Sequence, residues 1–247
     1  MELAYIRQGQ GTPLVLIHGY PLDHSIWDET AALLSGTFDL ILPDLRGFGA
    51  SASPADPSCT MGDMASDLAE LLNKLGIQQA ALAGHSMGGY VALAFARAYP
   101  LRLRGLGLVS SQVLADKPEG REGRYKTAAS VAENGVKVVA EAMTPKLSAD
   151  AKVQARVRSL IEQQTPAGVI GALKAMAGRP DSSDLLSSLS VPLVLIHGDA
   201  DVLIPIERAR EVQTAVPHAR MFTLGGVGHM PMLEASSQVA EALKTLA

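Results

Sequence analysis

Cysteine is almost missing from this chain of 247 residues: Cys59 stands alone, so no disulfide can form within it. It lies in the polar stretch "SPADPSCT" with no metal-ligand spacing around it, and no role is assigned to it. Also lacking is any apolar run near the roughly 18 residues that a membrane-spanning helix needs. The first residues, "MELAYIRQGQG", carry neither the basic nor the apolar segment of a secretory signal, which makes cytoplasmic the expected location. There is no basic excess either. Lys and Arg number 21 against 25 Asp and Glu, a net charge of −4, which provides no surface for nucleic acid. Hydrophobic residues, by contrast, make up 47% of the chain, enough to exclude disorder and to fill a large core. An α/β chain of this length is expected to form one domain, residues 1–247.

What is present is an alternation of short β-rich runs with helical ones. "PLVLIHG" (13–19), "DLILPD" (39–44), "AALAG" (80–84), "LGLVS" (106–110), "VPLVLIHG" (191–198) and "ARMFTL" (219–224) are short and apolar. Most are closed by Gly, Asp or Ser, as buried parallel strands are. Between them "MASDLAELLNKLG" puts Met64, Leu68, Leu71, Leu72 and Leu75 on one helical face and stops at Gly76. The pattern predicts a mostly parallel central sheet with helices on both faces. From about residue 112 to 189 no strand can be read. There Val153, Val157, Leu160 and Ile161 recur at helical spacing, and Thr165 followed by Pro166 suits the cap and first position of another helix. This interval is expected to be a helical cap inserted over one end of the sheet and to govern which substrates enter.

"AGHSMGGYVA" lies where a predicted strand meets a predicted helix. Gly84-His85-Ser86-Met87-Gly88 is a G-x-S-x-G pattern in the context that gives it meaning, a strained turn that presents a serine at a helix N-terminus. Taken alone it could be a structural turn, and no Lys follows the glycines to make a phosphate loop. A serine hydroxyl needs a base and an orienting carboxylate. Downstream, "HGDADVLIP" offers Asp199 and Asp201 after one strand, and "GGVGHMPMLEA" offers His229 after the last. The order is Ser, Asp, His, each at the C-terminal end of a strand. The backbone N–H of Met87 follows the serine directly, and that of Tyr20 in "HGYP" comes from the loop after the first apolar run; both are candidate oxyanion donors.

With these segments in order, "LIHGYPLDHSIW", "LPDLRGFGAS", "GHSMGG", "HGDADVLIP" and "GVGHMPMLE", the chain resembles the α/β-hydrolase superfamily across essentially its whole length. Within that superfamily it is most similar to small carboxylesterases and 3-oxoadipate enol-lactonases. The resemblance implies an α/β-hydrolase fold and a cofactor-free, metal-free serine hydrolase with Ser86, Asp201 and His229 as triad. Its G-x-x-D pattern maps to Gly198 and Asp201, with Pro205 beyond, which favours Asp201 over Asp199. It implies a small-molecule ester as substrate, with lactone hydrolysis as the nearest alternative. A slow-turnover ligand receptor or signalling protein on the same fold is a third reading. Epoxide hydrolases and haloalkane dehalogenases resemble this framework but use Asp where Ser86 stands, which argues against both. The cap interval contains Tyr125 but no Trp or Phe, and the edge hairpin common in the family is shortened at the amino terminus.

Met143, Met176 and Met230 are candidate substrate-pocket residues, and Met87 and Met232 could join them, though ordinary core packing is an equal reading. His18 and His197, each before a glycine, are expected to shape loops, and His85 to pack in the elbow. Asp44 and Arg46 are expected to fix a turn, and Trp27 to anchor its helix.

Overall fold

The computed structural model describes residues 1–52 and 58–247. Residues 53–57, the start of the stretch before Cys59, lie outside the described residues. Cys59 itself is buried, and burial pushes its thiol up to about 11.

Six apolar runs become strands that stand parallel: β2 (Thr12–Ile17), β3 (Phe38–Pro43), β4 (Ala80–His85), β5 (Leu103–Val109), β6 (Leu193–Gly198) and β7 (Arg220–Leu224). Every residue of β4 and of β6 is buried, as continuous apolar runs with helices on both faces must be. A seventh strand, β1 (Tyr5–Gly9), is an addition to the six runs predicted. It pairs antiparallel with β3, and the sheet order is β1-β3-β2-β4-β5-β6-β7. Its sequence, YIRQG, is half exposed and has no apolar run, so periodicity did not reveal it. Arg7 on β1 holds Asp39 on β3 through Nε and Nη2 at 2.9 and 2.7 Å.

Helix α1 (Asp28–Leu34) follows a 3₁₀ turn in which Trp27 is fully buried. Helix α2 (Met61–Lys74) begins one turn earlier than its apolar stripe suggested, because Thr60 and Asp63 form a reciprocal capping box. Helix α3 (Met87–Ala98) leaves directly from β4 and packs on β4, β5 and α2. Among the described residues no helix is long and apolar enough to cross a membrane.

Between β5 and β6 the chain is helical: α4 (Pro118–Asn134), α5 (Lys137–Leu147), α6 (Ala151–Glu162), α7 (Pro166–Gly178) and the single turn α8 (Ser183–Leu186). Helix α4 packs on α7, and α5 on α6. Asp150 caps α6 and Thr165 caps α7. The two ends of this segment are joined: the Ser182 N–H donates to the Val113 carbonyl at 2.9 Å, and Arg179 Nη2 donates to the Leu114 carbonyl at 3.0 Å. The segment reaches the loops at the C-terminal ends of the strands. The Gln164 amide oxygen accepts from the Gly49 N–H, and the Leu147 carbonyl accepts from the His229 N–H, both at 3.0 Å. Helices α9 (Glu207–Ala215), α10 (Pro231–Glu234) and α11 (Ser236–Leu243) complete the chain.

The loops after β2 and β3 are locked together by Asp44. Its Oδ1 accepts from the backbone N–H of His24 at 2.9 Å and from its ring Nδ1–H at 2.7 Å, while Oδ2 accepts from the Ala50 N–H. Arg46 forks onto Asp67 of α2 at 2.6 and 2.8 Å, so this pair fixes the turn. The hydrogen bond to Asp44 raises the His24 pKa above its ordinary 6.5. Burial would raise Asp44, but its hydrogen bonds from His24 and Ala50 hold it below 3.8. His24 therefore contributes stability that is complete below pH 6.5 and is lost as pH rises through the folded value. Asp44 contributes above pH 3.8 and loses its share as pH falls. Raising pH from 6 to 8.5 is expected to lower Tm by about 2–4 °C more in the wild type than in His24→Gln, equivalent to about 1 kcal/mol in a chain of this size. Parallel Tm curves for the two proteins would show that the pair is energetically silent.

Candidate active site

Ser86 stands between β4 and α3 with φ 49° and ψ −112°, a conformation that L-residues occupy at a cost of ~1–3 kcal/mol. The surroundings impose it. The Ser86 N–H donates to the Val109 carbonyl, and the Ser86 carbonyl accepts from the Gly89 N–H and from the Ser111 hydroxyl at 2.8 Å. A Cβ on Gly84 would lie 2.2 Å from the Gly88 backbone, and one on Gly88 would lie 2.4 Å from the Ile17 carbonyl oxygen. The glycines of the motif are thus contact points between β4, α3 and β2. Ser86 is half-buried, and the amide of Met87 opens α3, where backbone N–H groups have no intrahelical partner.

Asp201 and His229 arrive from the ends of β6 and β7. His229 Nδ1 lies 2.7 Å from Asp201 Oδ2, both residues being buried. Asp201 Oδ1 accepts from the N–H groups of Leu203 and Ile204 at 2.8 and 3.0 Å. Burial alone would raise its pKa, yet hydrogen bonding from His197 and His229 holds it well below the carboxylate range. An ionised Asp201 fixes the proton of His229 on Nδ1 and makes Nε2 the acceptor of the ring. Asp199 is engaged elsewhere: its Oδ1 accepts from the Gly226 N–H at 2.6 Å, joining the loop after β6 to the loop after β7.

The other histidines hold backbone in place. His18 donates from Nδ1 to the Gly19 carbonyl and accepts at Nε2 from the Leu45 N–H, both at 2.9 Å, which ties the Tyr20 loop to the turn after β3. His197 donates from Nε2 to the Ile204 carbonyl at 2.7 Å, shaping the loop that carries Asp201. His85 Nε2 donates to the His229 carbonyl at 2.8 Å, and the two rings lie 4.9 Å apart. Burial, with the neighbouring His229, pushes His85 down to about 3, so it is neutral. The site of a Cβ on Gly19 lies 2.4 Å from His85 Nδ1, so the loop that carries the Tyr20 amide runs directly against the elbow. The Tyr20 phenol is buried, and burial raises its pKa.

Of the proposed pocket methionines, Met230 is fully buried beside His229, Met176 is buried on α7 with its sulfur 3.3 Å from Arg124 Nη1, and Met143 is half-buried on α5. An apolar cavity of about 360 Å³ lies between α2, α3 and α7, walled by Met61, Tyr90, Leu93, Val113, Ala175 and Arg179; neither the triad candidates nor these methionines line it. Asp23, His24 and Asp44 bring ligand-type atoms within 4.8 Å of one another, but these atoms are already joined to one another or to neighbouring N–H and O–H donors. Sequence reasoning passed over Ser111, Leu147 and Glu234, whose contributions run through backbone groups that no motif records.

A family model of the alpha/beta hydrolase fold matches residues 12–236. A thermophilic esterase from Thermogutta terrifontis is 38% identical and superposes with a TM-score of 0.95, covering 98% of this chain and 92% of that one. The pimeloyl-[acyl-carrier protein] methyl ester esterase of Nitrosomonas europaea is 31% identical over 254 residues, 96% of this chain and 96% of that protein. An enol-lactonase from Burkholderia xenovorans LB400 superposes with a TM-score of 0.90 over 99% of this chain and 95% of that one; at 24% identity this likeness is one of fold.

Proposed function

The chain belongs to the alpha/beta hydrolase fold family, and on that premise we propose that it is a serine hydrolase of carboxylic esters working through an acyl-enzyme. The observation that carries the proposal is the Asp201–His229 hydrogen bond of 2.7 Å, set beside an elbow that strains Ser86 to φ 49°. In this reading His229 Nε2 takes the proton of Ser86 as its Oγ attacks the ester carbonyl, and Asp201 steadies the imidazolium. The Tyr20 and Met87 amides donate to the oxyanion. Collapse of the tetrahedral intermediate expels the alcohol, protonated by His229. A water deprotonated by the same imidazole then attacks the acyl-enzyme and releases the acid, returning the proton to Ser86. The 38% identical esterase supports an ester over a lactone as substrate.

A panel of p-nitrophenyl esters of increasing chain length, run beside lactones, tests this. Turnover of esters at about 1–10³ s⁻¹ is expected, with lactones slower. Lactones as the faster substrates would make the protein a lactonase, for which the same steps suffice. Binding of both without turnover would favour the receptor reading. A bulkier side chain at the half-buried Met143 is expected to alter the chain-length preference more than Tm, whereas one at the buried Met176 is expected to lower Tm as well.

A further inference from the structure

His229 sits in the loop between β7 and α10, a stretch that includes Gly225, Gly226 and Gly228 and whose Val227 and Met230 side chains pack into the core. Its own peptide groups are held from two sides, by the Leu147 carbonyl on the N–H and by His85 Nε2 on the carbonyl. The residues on either side of it are held by one carboxylate. Glu234 Oε2 accepts from the Gly228 N–H at 3.0 Å, and Glu234 Oε1 accepts from the Met230 N–H at 3.2 Å. We propose that Glu234 is a positioning residue that clamps the backbone on both sides of His229 and so fixes where its imidazole stands relative to Ser86 and Asp201. The inference rests on the catalytic role proposed for His229.

The chemistry favours a carboxylate there. Two N–H donors converge from opposite flanks, and an ionised Glu offers an acceptor to each, whereas a Gln offers one oxygen and turns an NH₂ group against the other donor. The clamp is stiff because α10 brings Glu234 back over the loop within four residues: the Met230 carbonyl accepts from the Glu234 N–H at 3.0 Å. It is also close-fitting. A Cβ on Gly228 would lie 3.2 Å from Glu234 Oε1 and 3.3 Å from the Leu147 carbonyl oxygen, so glycine at 228 lets the carboxylate and the loop approach.

Misplacing a catalytic group by about 1 Å can cost on the order of 10²-fold in rate. Glu234→Gln is therefore expected to lower kcat on a p-nitrophenyl ester by about 10- to 100-fold, with KM changed by less than about twofold, because ester binding does not depend on where the base stands. The low-field NMR resonance of the His229 Nδ1 proton, held by Asp201, should broaden in the same variant while Tm shifts by only a few degrees. Gly228→Ala, which crowds the clamp and keeps the charge, should give the same signature. In the wild type the Gly228 and Met230 amides should be protected from hydrogen exchange. Free exchange of those two amides, or a folded Glu234→Gln with normal kcat and a sharp Nδ1 signal, overturns the proposal. If the wild type hydrolyses no ester at all, the serine-hydrolase reading fails, and the proton resonance and amide protection still decide the role of Glu234.

Discussion

Ser86→Ala is expected to melt close to the wild type while losing ester turnover on the order of 10⁴-fold or more. The substitution removes one oxygen atom. Hydrogen bonding of the Ser86 backbone to Val109, Gly89 and Ser111 is untouched, and so is the close packing of Gly84 on Gly88 that sets the elbow. On the proposed mechanism the remaining site keeps its amide donors and its base but has nothing to acylate. Direct attack by water becomes the only route, and the residual rate reports what the oxyanion donors achieve alone. A serine-directed organophosphate should add its mass to the wild type at Ser86 and leave the variant unmodified. Wild-type turnover in a pure, folded Ser86→Ala protein would remove Ser86 as nucleophile.

The second large effect separates two aspartates that are neighbours in sequence and unlike in surroundings. In Asp201→Asn, the amides of Leu203 and Ile204, which both donate to Oδ1, require the side-chain oxygen at that position. The NH₂ group must then face His229 Nδ1. A donor there turns the imidazole into the tautomer with its proton on Nε2, where it cannot accept a proton from Ser86. The expected loss is on the order of 10²- to 10⁴-fold in kcat, with little change in fold. In Asp199→Asn, by contrast, the oxygen can still accept from the Gly226 N–H, and kcat should stay within a few-fold of wild type. Both variants would be assayed at saturating ester after thermal melts. An inactive Asp199→Asn beside a nearly normal Asp201→Asn would reverse the two roles; two normal enzymes would discard the Ser-His-Asp mechanism.

The sheet was readable to the extent that its strands are buried on both faces. The runs at β2, β4 and β6 are wholly or mostly buried and uninterrupted in apolar residues, and Gly, Asp or Ser marks where five of the six predicted runs end. Strand β1 escaped because an edge strand needs no apolar face when its stability comes from pairing with β3 and from Arg7 on Asp39. Helix α4 escaped for a related reason: over Pro118–Asn134 only Ala128 and Val131 are buried, too few to set a period. The candidates Ser86 and His229 could be named because each follows a predicted strand in the order that a serine nucleophile and its base require, whereas Asp201 was separated from Asp199 by the resemblance alone. Glu234 could not be named, since what it grips is the N–H of Gly228 and of Met230, and any residue but proline offers that group.

Hydrogen bonds between residues 113–114 and 179–182 draw the helical segment into a narrow neck. Because its two ends meet, the sheet registers only the neck and not the length of chain beyond it. Doubling a closed loop costs only about 0.6 kcal/mol more in closure entropy. Chain can thus be added to or removed from helices α4 to α7 without disturbing the pairing of β5 with β6, so long as Leu147 still meets the His229 N–H and Gln164 the Gly49 N–H. Selection can therefore reshape the segment between those anchor points while the sheet keeps its register.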